Sequence, residues 1–238
     1  MCPTQQKDSS RYGFFKFTYL RKIKHDFRHG IITNYRKEGL TKIEDGGNID
    51  SNSYKGKETY NVFGLGSIIT LDTRDYIISP LEGVNHEVKL LLYDDALGDY
   101  TFSEFKINLK RYHKMSRKKT IAVELISQHF AGDVPFQMKS QLGETVLRGI
   151  YKGRFRVLNQ LSFQAEYRHY EAFRKFGYTI FLGLGKTYPT LKEFDWTCLK
   201  VIPGAGLRVP MGAEGAHLRF DFDLGEDLGM YISYGEAW

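Results

Sequence analysis

The chain has 238 residues, of which 42% are hydrophobic and 15% aromatic, and 34 basic against 28 acidic residues give it a formal net charge of +6. The aromatic content excludes a disordered chain. Its two cysteines, Cys2 and Cys198, are too far apart in sequence to set a disulfide framework or a four-cysteine zinc site. The charges are spread along the whole chain, which disfavours a nucleic-acid partner.

Apolar and polar residues alternate from Tyr12 onward, and this period of two predicts β-strands. In the clearest segment, 161–169, Phe163 and Tyr167 lie on one face and Glu166 and Arg168 on the other. Most segments are longer than the five or six residues of soluble sheets and suit tilted membrane-spanning strands. Eleven segments show the alternation: 11–22, 26–37, 58–74, 84–95, 100–113, 119–130, 159–170, 176–188, 198–210, 216–225 and 228–238.

The connections between these segments alternate in length. Short turns at 116–119 and 210–215 interleave with long polar loops at 38–57, 132–156 and 187–197. Short turns at one end and long loops at the other are typical of outer-membrane barrels. We therefore expect an all-β fold, a transmembrane antiparallel β-barrel with Glu166 and Arg168 facing the lumen. The alternative is a soluble antiparallel barrel or sandwich, with shorter strands and its polar face outside.

Six motifs then follow one another along the chain from about residue 58 to its end. Together they resemble the BamA/TamA-type outer-membrane assembly superfamily, also called the bacterial surface antigen barrel domain. The motifs are Leu71-Asp72-Thr73-Arg74-Asp75 with Pro80-Leu81-Glu82-Gly83, Leu147-Arg148-Gly149-Ile150, Glu166-Tyr167-Arg168, Gly204-Ala205-Gly206-Leu207-Arg208, Arg219-Phe220-Asp221 and the ending Gly229–Trp238.

The resemblance assigns roles to three of these motifs. It places Leu147, Arg148, Gly149 and Ile150 at the tip of a loop folded into the lumen. Glu166 is the expected partner of Arg148, since a poorly solvated charge is costly when unpaired. Gly183 stands where the family has a second acid, which leaves Glu166 alone or with a distant acid such as Asp221. A solvated Arg148 is the alternative. The ending implies a C-terminal strand signal made of Tyr231, Ser233, Tyr234, Gly235 and Trp238.

The function implied by the resemblance is insertion of outer-membrane proteins or translocation of polypeptides. It implies the outer membrane of a Gram-negative bacterium, contact with its lipid, and unfolded outer-membrane proteins and other assembly-machinery subunits as partners. We expect residues 1–238 to be one barrel domain without POTRA repeats. Eleven strands favour an N-terminally truncated part of a sixteen-stranded barrel, and a twelve-stranded barrel with one missed strand is the alternative. The alternatives are a passive channel, a structural barrel, or an anchor for a separate domain.

No pattern in the sequence predicts catalysis, a metal site or a cofactor. His25 and His29 have no evident third ligand, and we interpret them as lumen histidines. The segment 45–52 lacks the bidentate glutamate of a calcium loop, and no G-x-S-x-G motif is present. We therefore expect a protein that is not an enzyme and that uses neither metal nor cofactor.

Overall fold

The computed structural model describes residues 9–42, 55–143, 146–150, 155–211, 216–225 and 228–236. Eleven strands form one antiparallel sheet, which confirms the strands predicted from the alternation. Their bounds are β1 Ser9–Lys24, β2 Phe27–Lys42, β3 Tyr60–Asp72, β4 Gly83–Tyr93, β5 Phe102–Ser116, β6 Lys119–Gly132, β9 Asn159–Phe173, β10 Phe176–Tyr188, β11 Lys200–Pro210, β12 His217–Leu224 and β13 Leu228–Tyr234.

Each strand of this sheet pairs with the one before it along the chain, so the topology is an up-and-down meander. The connections fall at alternate ends of the sheet. One end carries the long loops, including β6–β9, and we call the other the short-turn end. Among the described residues β1 and β13 are the two edge strands, and no helix is long and apolar enough to cross a membrane.

The first hairpin is longer than its sequence pattern predicts. β1 and β2 contain 16 residues each, and their pairing continues to Lys24 and Phe27 around a two-residue turn. His25 sits in that turn with φ 44°. Charged residues near the C-terminal ends of β1 and β2 obscure the alternation. The pattern alone therefore ends both strands before Lys24 and Lys42, where the structure ends them.

The β6–β9 loop, predicted as a long polar loop, contains a second, two-stranded sheet. β7 (Ser140–Leu142) pairs with β8 (Phe155–Val157), and the Ser140 hydroxyl donates a 2.7 Å hydrogen bond to the Val157 carbonyl. Ser140 and Leu142 are buried. Buried backbone N–H and C=O groups need hydrogen-bond partners, and the pairing of β7 with β8 provides them in this segment.

The two faces of the main sheet differ in chemistry. On β9 most buried side chains are polar, among them Ser162, Gln164, Glu166 and Arg168, whereas Phe163 on the opposite face is 38% exposed. The loop residues Val146–Ile150 pack against the polar side, which is therefore the inner face. Exposed apolar side chains recur on the outer face of the other strands, among them Phe15, Phe17, Ile31, Leu65, Leu92, Ile180, Leu207, Met230 and Ile232.

The interpretation of His25 and His29 as lumen histidines is wrong. On β2 the inward positions are Gly30 and Ile32, both buried, so His29 points outward. Its imidazole is within hydrogen-bond distance of the Ser67 hydroxyl, at 2.8 Å on the exposed side of β3.

The inner face also contains an apolar core toward the long-loop end. Nine buried side chains from β2 to β6 and the β6–β9 loop form it: Ile32, Tyr60, Val62, Ile68, Leu91, Tyr93, Phe102, Phe130 and Val134. The Tyr93 and Phe102 rings stack with centroids 4.1 Å apart. This core and the inserted loop fill the inner side of the sheet.

Candidate functional site

The candidate site is the segment Val146–Ile150, which lies against the inner face of the sheet. Leu147 and Ile150 are buried in a cluster with Leu142, Ile126 of β6 and Ile202 of β11. Gly149 has φ +81°, a backbone conformation that residues with a Cβ rarely adopt. A Cβ there would also lie 2.7 Å from Ile202 Cγ2. The glycine thus lets the chain turn while its neighbours stay packed.

Arg148 contacts two carboxylates and one aromatic ring. Its Nη2 pairs with Glu166 on β9, and its Nη1 lies 2.8 Å from Asp221 Oδ2 on β12. The guanidinium carbon stands 3.8 Å from the centroid of the Phe181 ring on β10, a cation–π contact. The structure therefore brings Arg148 and Glu166 together and adds Asp221 as the second acid. The Arg148 side chain lies on the inner face of the sheet and is 7% exposed.

Gly183, at the position where the resemblance implies a second acid, lies against Leu147. A Cβ at Gly183 would lie 2.5 Å from Leu147 Cδ1, and one at Gly185 would lie 2.6 Å from Leu147 Cδ2. A larger residue at 183 would therefore require the Leu147 side chain to shift. The second carboxylate therefore comes from Asp221, two strands further along the sheet.

Asp221 and Glu166 belong to a larger buried cluster of ion pairs. Asp221 also pairs with Arg208 at 2.6 Å and with Arg219 at 3.1 Å. Glu166 accepts a 2.7 Å hydrogen bond from Nε of Arg168. The clamp cluster, as we call it, contains Arg148, Arg168, Arg208, Arg219, Glu166, Asp221 and Glu236.

The two glycines of the G-x-G-φ-R motif make room for this cluster. A Cβ at Gly204 would overlap the Phe181 ring, the ring that Arg148 covers. A Cβ at Gly206 would overlap the Asp221 carboxylate. The two glycines therefore leave space on the inner face for the Phe181 ring and the Asp221 carboxylate. Arg208, the last residue of the motif, pairs with Asp221.

Glu236 joins the cluster from beyond the end of β13. Its carboxylate lies 3.2 Å from Nε of Arg208 and 3.5 Å from Nε of Arg168. Gly235, with φ +80°, turns the chain so that Glu236 points inward. The Glu236 N–H also donates a 3.1 Å hydrogen bond to the Ile78 carbonyl, which ties the end of β13 to the β3–β4 turn.

The Asp-Thr-Arg-Asp motif shapes that β3–β4 turn. Nη2 of Arg74 lies 2.7 Å from the Asp72 carboxylate. Oδ1 of Asp75 accepts hydrogen bonds from the backbone N–H groups of Tyr76, Leu81 and Glu82 at 2.9, 2.9 and 3.2 Å. These bonds hold the turn in the shape that brings Ile78 to Glu236.

The residues of the predicted C-terminal strand signal do not all point the same way. The Tyr231 hydroxyl accepts a 3.1 Å hydrogen bond from the Gly149 N–H, so Tyr231 faces the inserted loop. Ser233 shares that inward face, whereas Tyr234 is 62% exposed on the outer one. Gly235 forms the turn before Glu236. Trp238 lies outside the described residues.

Sequence reasoning missed Glu236 and Phe181 as parts of the site. The period of two places Gly235 inward and Glu236 outward, and only the positive φ at Gly235 reverses this. The one usable signal for Glu236 is the Gly-Glu pair directly after an alternating strand. A weak indication for Phe181 was its size, because the other inward positions of β10 are glycines and threonines. Within the described residues, no group of three or more His, Cys, Asp or Glu side chains is arranged to hold a metal ion.

Comparison with known proteins gives a structural likeness only. No family model matches the chain, and no curated protein matches its sequence. Among solved structures the chain is similar to BamA from Haemophilus ducreyi lacking POTRA domains 1–3, with a TM-score of 0.73 and 12% sequence identity. The alignment covers 95% of this chain and 53% of that one, so the chain spans about half the length of its structural relative. The chain therefore has the fold of a BamA-type barrel.

Proposed function

We propose that the chain is an outer-membrane β-barrel of the assembly-factor type, which assists insertion of other outer-membrane proteins or translocation of polypeptides. The observation that carries this proposal is the Val146–Ile150 segment, held on the inner face by Arg148 within a BamA-type fold. Its localisation would be the outer membrane of a Gram-negative bacterium. Its partners would be membrane lipid, unfolded outer-membrane proteins and other subunits of the assembly machinery.

The outer face supports a membrane location. Large apolar side chains stand exposed on the outer face of β1, β2, β3, β10 and β13, where water contact would be unfavourable. Polar and charged side chains lie on the inner face instead. This inverted distribution suits a sheet surrounded by lipid.

The filled inner face favours an assembly role over a passive channel. An open channel needs a continuous aqueous path, whereas the apolar core and the clamp cluster occupy the inner side of the described sheet. Chemistry on a substrate is not part of the proposal, and we propose a protein that is not an enzyme. Within the described part of the chain β1 and β13 are the two edge strands of the sheet, which favours a larger barrel of which this domain is a part.

Reconstitution into liposomes tests the proposal. Vesicles containing the full chain should insert an added unfolded outer-membrane protein faster than empty vesicles. The Arg148→Ala variant should lose most of this acceleration, whereas Lys192→Gln, a change at an exposed loop residue, should keep it. Ion conductance without any acceleration of insertion would identify a passive channel instead, and neither activity would indicate a structural barrel.

A further inference from the structure

Two neighbouring hairpins at the short-turn end are rich in basic side chains. The β5–β6 hairpin contributes residues 111–119, and the β9–β10 hairpin contributes residues 169–177. They are adjacent because β6 pairs with β9, with Lys119 opposite His169. We call their Arg and Lys side chains the basic patch; its members are Arg111, Lys114, Arg117, Lys118, Lys119, Arg174 and Lys175.

The basic patch gives the two hairpin segments a high positive charge. It has seven basic residues, and the two hairpin segments contain one acidic residue, Glu171, which pairs with Lys118. The two segments therefore have a formal charge of +6. Lys114, Arg117, Arg174 and Lys175 are exposed. Exposed basic side chains in such excess over acidic ones favour an anionic ligand.

Apolar side chains accompany the basic ones in this region. Met115 is 54% exposed, Phe173 is 73% exposed and Phe176 is 47% exposed, all at or beside the hairpin tips. Along the same strands, toward the middle of the sheet, Ile121 and Ile180 continue the apolar outer face. The patch thus borders the surface proposed to contact lipid, where Lys and Arg can reach headgroups while their stems stay in apolar surroundings.

The position of Arg111 along the strand also supports a location near the membrane surface. Arg111 lies opposite Val123, and both point outward near the end of β5. A charge on the lipid face is costly at the middle of the membrane and is tolerated near its surface. Outward-facing Arg111 therefore places this end of the sheet at the level of the headgroups.

We propose that the basic patch binds the phosphate groups of anionic phospholipids at the short-turn end of the barrel. This inference rests on the proposed membrane location. Guanidinium and ammonium groups donate charge-assisted hydrogen bonds to phosphate oxygens. An acidic protein would also complement the charge, but it would not explain the exposed Met115, Phe173 and Phe176 beside it.

Binding of short-chain lipids to the full chain in a zwitterionic detergent tests this inference. Native mass spectrometry would compare dioctanoyl phosphatidylglycerol with dioctanoyl phosphatidylcholine. We expect the anionic lipid to bind about tenfold more tightly, and the preference to weaken in high salt. Glycerol 3-phosphate carries the phosphate without acyl chains, and it should bind at least about tenfold more weakly than the anionic lipid.

Two triple variants localise the site. Lys114→Gln, Arg117→Gln and Lys175→Gln together should abolish the preference for the anionic lipid. Arg11→Gln, Lys37→Gln and Lys192→Gln remove the same charge from exposed positions outside the patch and should preserve it.

Equal binding of the two lipids, an unchanged preference in the patch variant, or equal loss in both triple variants would overturn the inference. A failure of the proposed membrane location looks different. In that case the chain would be folded and monomeric in plain buffer, whatever lipid it binds.

Discussion

Asp221 is the most connected carboxylate of the clamp cluster, because it pairs with Arg148, Arg208 and Arg219. We predict that Asp221→Asn lowers the free energy of unfolding by about 3–5 kcal/mol, since it leaves three buried guanidinium groups short of a partner. Arg148→Ala should cost less, about 1–3 kcal/mol. After that change Glu166 keeps Arg168, and Asp221 keeps its other two arginines.

Unfolding in detergent by urea, followed by tryptophan fluorescence, measures this ranking. Asp95→Asn, at an exposed position in the β4–β5 loop, is the matched control and should change little. A double-mutant cycle between Arg148→Ala and Glu166→Gln should give a coupling free energy above about 1 kcal/mol. Equal costs for Asp221→Asn and Asp95→Asn would contradict this description of the cluster.

Gly149 gives a second prediction at the scale of single residues. Gly149→Ala should destabilise the inserted loop by about 1–3 kcal/mol, because its φ is positive and a Cβ would meet Asp223 and Ile202. Gly13→Ala in β1 is the control, since nothing lies within 4 Å of a Cβ there. The readout is the rate at which a protease cleaves the β6–β9 loop. The same rate in both variants would show that the turn at Gly149 is not required.

The sequence predicted the contacts of single residues where a recognisable motif could be combined with the inward or outward direction of a strand residue. Arg148 and Glu166 could be paired in advance because one lies in a recognisable loop motif and the other faces inward on the next main strand. Asp221 could be named only as one possible acid far away in sequence. The pairing register that brings β12 close to the loop depends on contacts between distant strands, which the local sequence does not show. Glu236 escaped prediction because one backbone angle at Gly235 decides which way it points.

At the scale of elements, the loop between β10 and β11 is tied down by Lys186 and Asp195. The Lys186 ammonium pairs with the Asp195 carboxylate and donates 2.6 Å hydrogen bonds to the carbonyls of Asp195 and Thr197. Hydrogen bonds from Lys186 and Thr197 lower the pKa of Asp195 from 3.8 to about 2. Because the folded pKa is depressed, this contribution to loop order is present above pH 3.8 and is lost as the pH falls through about 2.

The fluorescence of Trp196 reports on that loop, since its ring lies 5.1 Å from Phe194. With Trp238→Phe as background, the emission should stay constant from neutral pH down to about 4 and change as the pH falls to about 2. In Lys186→Met the change should move toward the ordinary aspartate pKa. A transition that is the same with and without Lys186 would show that the pair does not hold the loop.

The terminal strand β13 carries a prediction about assembly in cells. Its outer face presents Met230, Ile232 and Tyr234, and the chain continues to Trp238. If this strand is the assembly signal, deletion of Trp238 should reduce the amount of chain in the outer membrane, whereas Trp238→Phe keeps an aromatic end and should preserve it. Unchanged insertion after deletion would exclude the signal role of Trp238.

Elements with a clean alternation were predictable, and those stabilised by tertiary contacts were not. The strand β9 could be placed from its alternating residues within a few positions. The short strands β7 and β8 contain three residues each, too few for a period to show, and they form where the loop is buried against the main sheet. The same burial explains why a segment predicted as a long polar loop contains paired strands.

At the scale of the whole molecule, contacts between distant strands join the two halves of the sheet. Arg148, on the loop after β6, reaches β9 and β12, and the β3–β4 turn reaches Glu236 after β13. These contacts cross the inner side of the sheet and its short-turn end. They explain why four motifs that are far apart in sequence occur in one chain: their charged residues meet in one cluster.

The central claim is that the apolar outer face of this sheet lies in a lipid bilayer. Nitroxide accessibility along β5 tests it most directly, with spin labels placed singly at residues 105–110 of the reconstituted chain after Cys2→Ser and Cys198→Ser. Outward Phe105, Ile107 and Leu109 should be accessible to oxygen in the bilayer, and inward Lys106, Asn108 and Lys110 should not. Outward labels that contact a water-soluble quencher as readily as a label at the exposed loop residue Asp95 would contradict the claim.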